Sequence, residues 1–370
     1  MPTLDLAMPT ALFLTVLVAL ILSKRIGNKV TENIEHKEFK IRDVILLVAF
    51  ILVAVLVIGY TAMMNPSGIF GNGLQIFFLC SYTTLLFTFT YMFSNATKQR
   101  IQLISTGFGA AASIAGIASL TGPLSDAYTI YRVIAFFALA TFCFGTTIYE
   151  QQKSPGLQKN RWYLSVQLPA LFVLLFIFFN VLYGGVTQIW YPYLLDIFGF
   201  TFAILIIVYL SSLFTWKTVG LFAVLLTIID IYLVFTGPMV SAANIFTDLG
   251  LPVVIYLPNI PPVISEAGIL LFRGLGLGDY FFAGILSVQT YNKYGKKTAI
   301  TALIAIAIAF GIWMAFMPEM KTAFGIAGFP ATVCIISGWI PIIAYKLLRT
   351  KNKPTPLLSP VESVPTITDS

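Results

Sequence analysis

Hydrophobic residues in this chain come in blocks of roughly 20, the length that carries a helix across ~30 Å of hydrocarbon. Eleven such blocks lie near residues 8–23, 43–62, 73–93, 101–120, 128–148, 164–184, 193–213, 218–238, 268–290, 298–317 and 325–346. With 58% hydrophobic and only 10% charged residues, the chain reads as an all-α polytopic membrane protein of about eleven transmembrane helices, not a soluble domain with a large core.

The charges give an orientation. With the amino terminus outside, the connections at 24–42, 94–100, 149–163, 214–217 and 291–297, and the segment from 346, fall on the cytoplasmic side. Together they hold 19 of the 22 Lys and Arg, leaving Arg132, Arg273 and Lys321 for the other face. This positive-inside bias accounts for the net charge of +7 and removes the need for a nucleic-acid partner. The partner in its place is a lipid bilayer, the expected location the cell membrane, and the carboxyl terminus cytoplasmic. MPTLDLAMPT has no basic region ahead of the first apolar block, so that block reads as a retained helix and not as a cleaved signal. Residues 351–370, rich in Pro, Ser and Thr, read as a disordered cytoplasmic tail.

Cys80, Cys143 and Cys334 all sit inside apolar blocks and read as small buried residues, without a disulfide. Asn95-Ala96-Thr97 is a glycosylation sequon on the predicted inner face and is discounted. No metal site is expected, and no cofactor.

Carboxylates within membrane helices are costly and mark functional sites. Most acidic residues here lie in loops, and Asp196 and Glu266 lie near block ends, where water reaches them. Asp230, in AVLLTIIDIYLVF, and Asp279, in GLGLGDYFFAGIL, stand well inside apolar sequence. Their helices are consecutive and antiparallel, so the two groups can meet at similar depth. A pair of this kind titrates as a unit, and one carboxylate can activate water while the other protonates a carbonyl. A structural carboxyl pair, or a proton or cation relay in a transporter, fits the charges equally well. Gly274, Gly276 and Gly278 alternate ahead of Asp279 and remove side chains from one edge, so that another backbone can come close.

At these residues the chain resembles a family. Gly276-Leu277-Gly278-Asp279 is similar to the defining motif of the presenilin and signal peptide peptidase family of intramembrane aspartyl proteases. Asp230–Phe235 with Met239-Val240 resembles the stretch around that family's first catalytic aspartate. Leu251–Tyr256 resembles its strand-forming segment, and Phe329–Val333 sits where it carries a Pro-Ala-Leu motif. The resemblance implies a catalytic core over 186–350 with Asp230 and Asp279 as the catalytic pair. Gly276, Leu277, Gly278, Pro330, Ala331 and Thr332 would contact the substrate, a transmembrane helix such as a signal-peptide remnant or a type II membrane protein. The orientation matches the signal peptide peptidase branch. The chain departs from the family at Ile229, which replaces a Tyr, and at Thr332, which replaces Leu. On the resemblance alone, Thr332→Leu is expected to be tolerated. The family fold has five helices before the first aspartate, whereas seven blocks precede Asp230, so residues 1–185 carry about two extra.

A spanning helix must unwind before it can be cut, because its backbone groups are already paired. The runs Pro252–Tyr256 and Ile269–Phe272 are expected to form an edge on which the unwound substrate adds as a strand. The one histidine, His36, lies in a basic inner loop, so a Ser–His pair in the membrane is unavailable and no zinc-binding His pair exists. A secondary transporter or ion channel remains the rival, since midplane carboxylates and broken helices mark it too. The small-residue stretch Ser105–Gly122 suits that reading or tight helix packing. A membrane chaperone that holds helices is a third. The sequence leaves the oligomeric state open.

Overall fold

The computed structural model describes residues 5–33, 38–64, 69–92, 97–120, 127–153, 162–181, 187, 190–264, 270–324 and 329–351. The tail expected to be disordered, Glu266 and the sequon's first two residues lie outside them.

Among the described residues the structure is all-α apart from one small hairpin. Its helices are α1 (Ala7–Asn33), α2 (Ile41–Met64), α3 (Ile69–Met92), α4 (Lys98–Ser119), α5 (Ala127–Gln152), α6 (Trp162–Phe176), α7 (Leu195–Ser211), α8 (Trp216–Thr236) and α9 (Pro238–Asp248). Strands β1 (Val254–Pro258) and β2 (Phe272–Gly276) follow, then α10 (Leu277–Tyr294), α11 (Lys296–Phe324) and α12 (Ala331–Lys351). A π-helical turn, Ile177–Val181, prolongs α6. Among the described residues, ten helices are long and apolar enough to cross a membrane. The chain is therefore an integral membrane protein.

Eleven blocks were expected, and the difference lies in the ninth. Block 268–290 is divided between β2 and α10, and α10 falls short of the composition of a lipid-facing span. The reason is its place in the fold. α10 runs through the centre, packed against α1, α7, α8, α11 and α12, and Phe282–Thr290 are all buried. A helix surrounded by protein can carry polar residues if they are paired. Gln289 Nε2 donates to the carbonyls of Ser211 (2.9 Å) and Phe214 (2.6 Å), and Trp339 Nε1 donates to Thr290 Oγ1 (2.9 Å). Its own Tyr280 and Phe282 are fully buried, Tyr280 against Phe200 of α7 and Phe282 against Phe222 of α8.

α8 starts at a reciprocal capping box between Thr215 and Thr218 and stops at Gly237, whose φ of 95° is open to glycine and strained for other residues. Pro238 then opens α9, a short helix in a segment where the sequence showed no block. The stretch Ser105–Gly122 resolves as helix packing up to Ser119. Ser105, Gly109, Ala112, Gly116 and Ser119 are the buried face of α4, seated on Phe136, Phe137 and Phe144 of α5. Those two helices pack on each other and otherwise mainly on α6, away from α8, α10 and α12. They are the pair that stands apart from the candidate site.

Candidate active site

Three helices bring the motif residues together. α8 carries Asp230 in its second half, α10 carries Asp279 in its first turn, and α12 begins beside them with Pro330-Ala331-Thr332. Asp279 shares a cavity with Ala331 and Cys334 of α12, and Asp230 is bonded to Thr332 in the same first turn, so the two carboxylates meet across the start of α12. Adjacent carboxylates are held most cheaply with one proton between them.

Each aspartate is tied to a helix N-terminus, where backbone N–H groups lack intrahelical partners and favour negative charge. For Asp279 the helix is its own. Gly276 caps α10, Asp279 is the third helical residue, and its Oδ2 lies over that first turn, 3.4 Å from where a Cβ of Gly276 would stand. For Asp230 the helix is α12. Thr332 donates to Asp230 Oδ2 twice, from its hydroxyl at 2.6 Å and from its backbone N–H at 3.3 Å. Pro330, which has no N–H to leave unpaired, precedes the first helical residue.

The hairpin leads into Asp279. β1 and β2 are antiparallel, with Ile255 opposite Leu275 and Leu257 opposite Arg273. Leu277 N–H bonds Val253 O at 2.8 Å, and Asn259 N–H bonds Leu271 O at 3.4 Å. Antiparallel bonding alternates along a strand, so residues 271, 273, 275 and 277 face β1. The backbone groups of Gly274 and the carbonyl of Gly276 therefore point to the free edge of β2. The expected strand limits shift accordingly. β1 begins two residues later than the Pro252 start, and Gly274 and Gly276 belong to β2 itself, with Gly278 in α10. Gly274 is required by packing, since a Cβ there would lie 2.8 Å from Tyr256 Cε1 and Val254 Cγ1.

A cavity of about 440 Å³ lies along this edge, lined by Gly274, Leu275, Gly276, Asp279, Ala331 and Cys334 among others. Of the residues expected to cut or contact the substrate, Gly276, Asp279 and Ala331 line it. Gly278 is exposed, with no atom within 4 Å of where its Cβ would stand. Leu277 turns the other way, buried in the core toward Gly199. Pro330 and Thr332 are buried behind the cavity wall, as is Asp230, 7% exposed. Ile229 is half-buried and Tyr232 exposed, so neither places a hydroxyl on the pair. Among the described residues no cluster of His, Cys, Asp and Glu could hold a metal.

Two further carboxylates shape the hairpin. Asp196 was expected at a water-exposed block end; instead it is 8% exposed, and its Oδ1 accepts from Tyr256 N–H at 2.7 Å. That bond occupies part of the outer edge of β1, because Tyr256 points away from β2 in the alternation. Asp5, 3% exposed, was not singled out in the sequence. Its Oδ1 accepts from Ala7 N–H and Ile260 N–H, both at 3.0 Å, while its Oδ2 stands 4.0 Å from Arg273 Nε. Leu6 N–H adds a bond to Ile260 O at 2.9 Å. The start of α1 is thus clasped to the hairpin. A lone Asp ahead of an apolar block carried no periodic signal that could have revealed this. No family model, curated protein or solved structure matches the chain.

Proposed function

We propose that the protein is an intramembrane aspartyl endopeptidase that hydrolyses peptide bonds in transmembrane segments. The observation that carries the reading is the convergence of Asp230 and Asp279, from separate helices, beside a cavity bordered by the free edge of β2. An unwound substrate segment adds to that edge through the Gly274 and Gly276 backbone. One carboxylate takes a proton from water as the oxygen attacks the scissile carbonyl, and the other gives its proton to the carbonyl oxygen. Collapse of the tetrahedral intermediate returns a proton to the departing amine and leaves a new carboxyl terminus. The likeness to the presenilin and signal peptide peptidase family supports the same chemistry, with single-span type II proteins or signal-peptide remnants as substrates. In this reading the protein lies in the cell membrane, amino terminus outside and carboxyl terminus cytoplasmic.

The test is cleavage of a purified single-span substrate in liposomes. Asp230→Asn and Asp279→Asn each abolish it while leaving the protein folded, since an amide costs less than a charge in hydrocarbon. Activity in the native protein follows a bell-shaped pH profile, because neither the doubly protonated nor the doubly ionised pair can be both acid and base. Undiminished hydrolysis by either Asn variant refutes the proposal. Proton-coupled solute flux lost in those variants would assign the pair to a transporter.

A further inference from the structure

Thr332 occupies the place where the resembled family carries a leucine, and it is the residue that holds Asp230. Threonines inside the helices of this chain spend their hydroxyls on the carbonyl four residues back: Thr227 on Ala223 (2.8 Å), Thr236 on Tyr232 (2.7 Å), Thr290 on Leu286 (2.6 Å). Thr332 is the second residue of α12, where no helical carbonyl lies four residues back. Its hydroxyl turns outward and donates to Asp230 Oδ2, and its unpaired first-turn N–H does the same. The next N–H, that of Val333, is already spent on Pro330 O at 3.2 Å, so Thr332 supplies both donors. The side chain is 3% exposed and the Asp230 carboxylate is buried beside it. With both of these donors aimed at it, Oδ2 has no lone pair left for a proton of its own. The proton of a singly protonated pair therefore resides on Asp230 Oδ1 or on Asp279.

Resting on the protease reading, we infer that Thr332 is a positioning residue. It fixes the Asp230 carboxylate and closes Oδ2, leaving Oδ1 as the oxygen that exchanges protons with the water or with Asp279. A leucine cannot make either the hydroxyl bond or this assignment, so the tolerance of Thr332→Leu implied by the resemblance is not expected here.

The experiment uses the full chain in the liposome cleavage assay, with Thr332→Val, Thr332→Ser and Thr332→Leu beside the two Asn variants. Losing a hydrogen bond to a charged group corresponds to about a 10- to 100-fold loss. Val and Leu are expected to lower kcat by that factor with KM held within about twofold, because the substrate cavity is untouched. Ser, which keeps the hydroxyl, retains most of the native kcat and the native pH profile, whereas the Val profile moves. Thermal melts of all three report folding independently. Native kcat in the Val variant, with both Asn variants inactive, overturns the inference and leaves the protease reading standing. Equal loss in Ser and Val, tracking a lowered melting temperature, also overturns it, since that is a packing defect. Undiminished cleavage by the Asn variants overturns the protease reading and the inference together.

Discussion

Asp5→Ala should loosen the β1–β2 hairpin without unfolding the protein. The carboxylate makes two hydrogen bonds of 3.0 Å through Oδ1 and a long ion pair of 4.0 Å to Arg273. The Ala7 bond is local to the start of α1, whereas the bond to Ile260 joins α1 to the end of the hairpin, so the Ile260 bond is the one whose loss the hairpin feels. A hydrogen bond to a charged acceptor contributes about 1.5–3 kcal/mol. The ion pair, with Arg273 partly exposed, adds no more than about 1 kcal/mol. The sum of about 2–4 kcal/mol raises the open population of the hairpin roughly 30- to 1,000-fold. Amide exchange over Val254–Pro258, followed by mass spectrometry in detergent, should accelerate by that factor, and cleavage should fall with it. Asp5→Asn keeps the Oδ1 acceptor and loses only the charge, so its exchange should rise less than ~10-fold. If exchange in the Ala variant stays within about threefold of native, the clasp does not hold the hairpin and the argument fails.

Gly274→Val should disrupt the hairpin by about 1–3 kcal/mol and abolish cleavage, because its Cβ meets Tyr256 and Val254 at 2.8 Å. Gly278→Ala, with open space where its Cβ would stand, should leave the melting temperature unchanged. Reporter fusions after Arg25, Lys217 and Lys296 should read as cytoplasmic and one at Asp248 as outside; a cytoplasmic Asp248 would reverse the orientation and with it the expected type II substrates.

The sequence by itself determined that the chain lives in a bilayer, because blocks of twenty apolar residues have no other economical fate. It also singled out Asp230 and Asp279, since a carboxylate in an apolar run stands out against its neighbours wherever the run ends up. The small-residue face of α4 was visible as composition, though its partner was not. Tertiary structure decided the rest, for reasons of context. α10 read as one more lipid-facing span, and only its surroundings showed that it is wrapped in protein, which lets it carry paired polar residues. Asp196 read as an ordinary end-of-block acid and Asp5 was not singled out, because burial and a backbone N–H from sixty or 255 positions away leave no local pattern. Thr332 read as a departure from a motif. Only the approach of the α12 N-terminus to Asp230 turns that departure into a hydrogen-bond donor, since a helix end offers its free N–H and hydroxyl to whatever the fold brings against it.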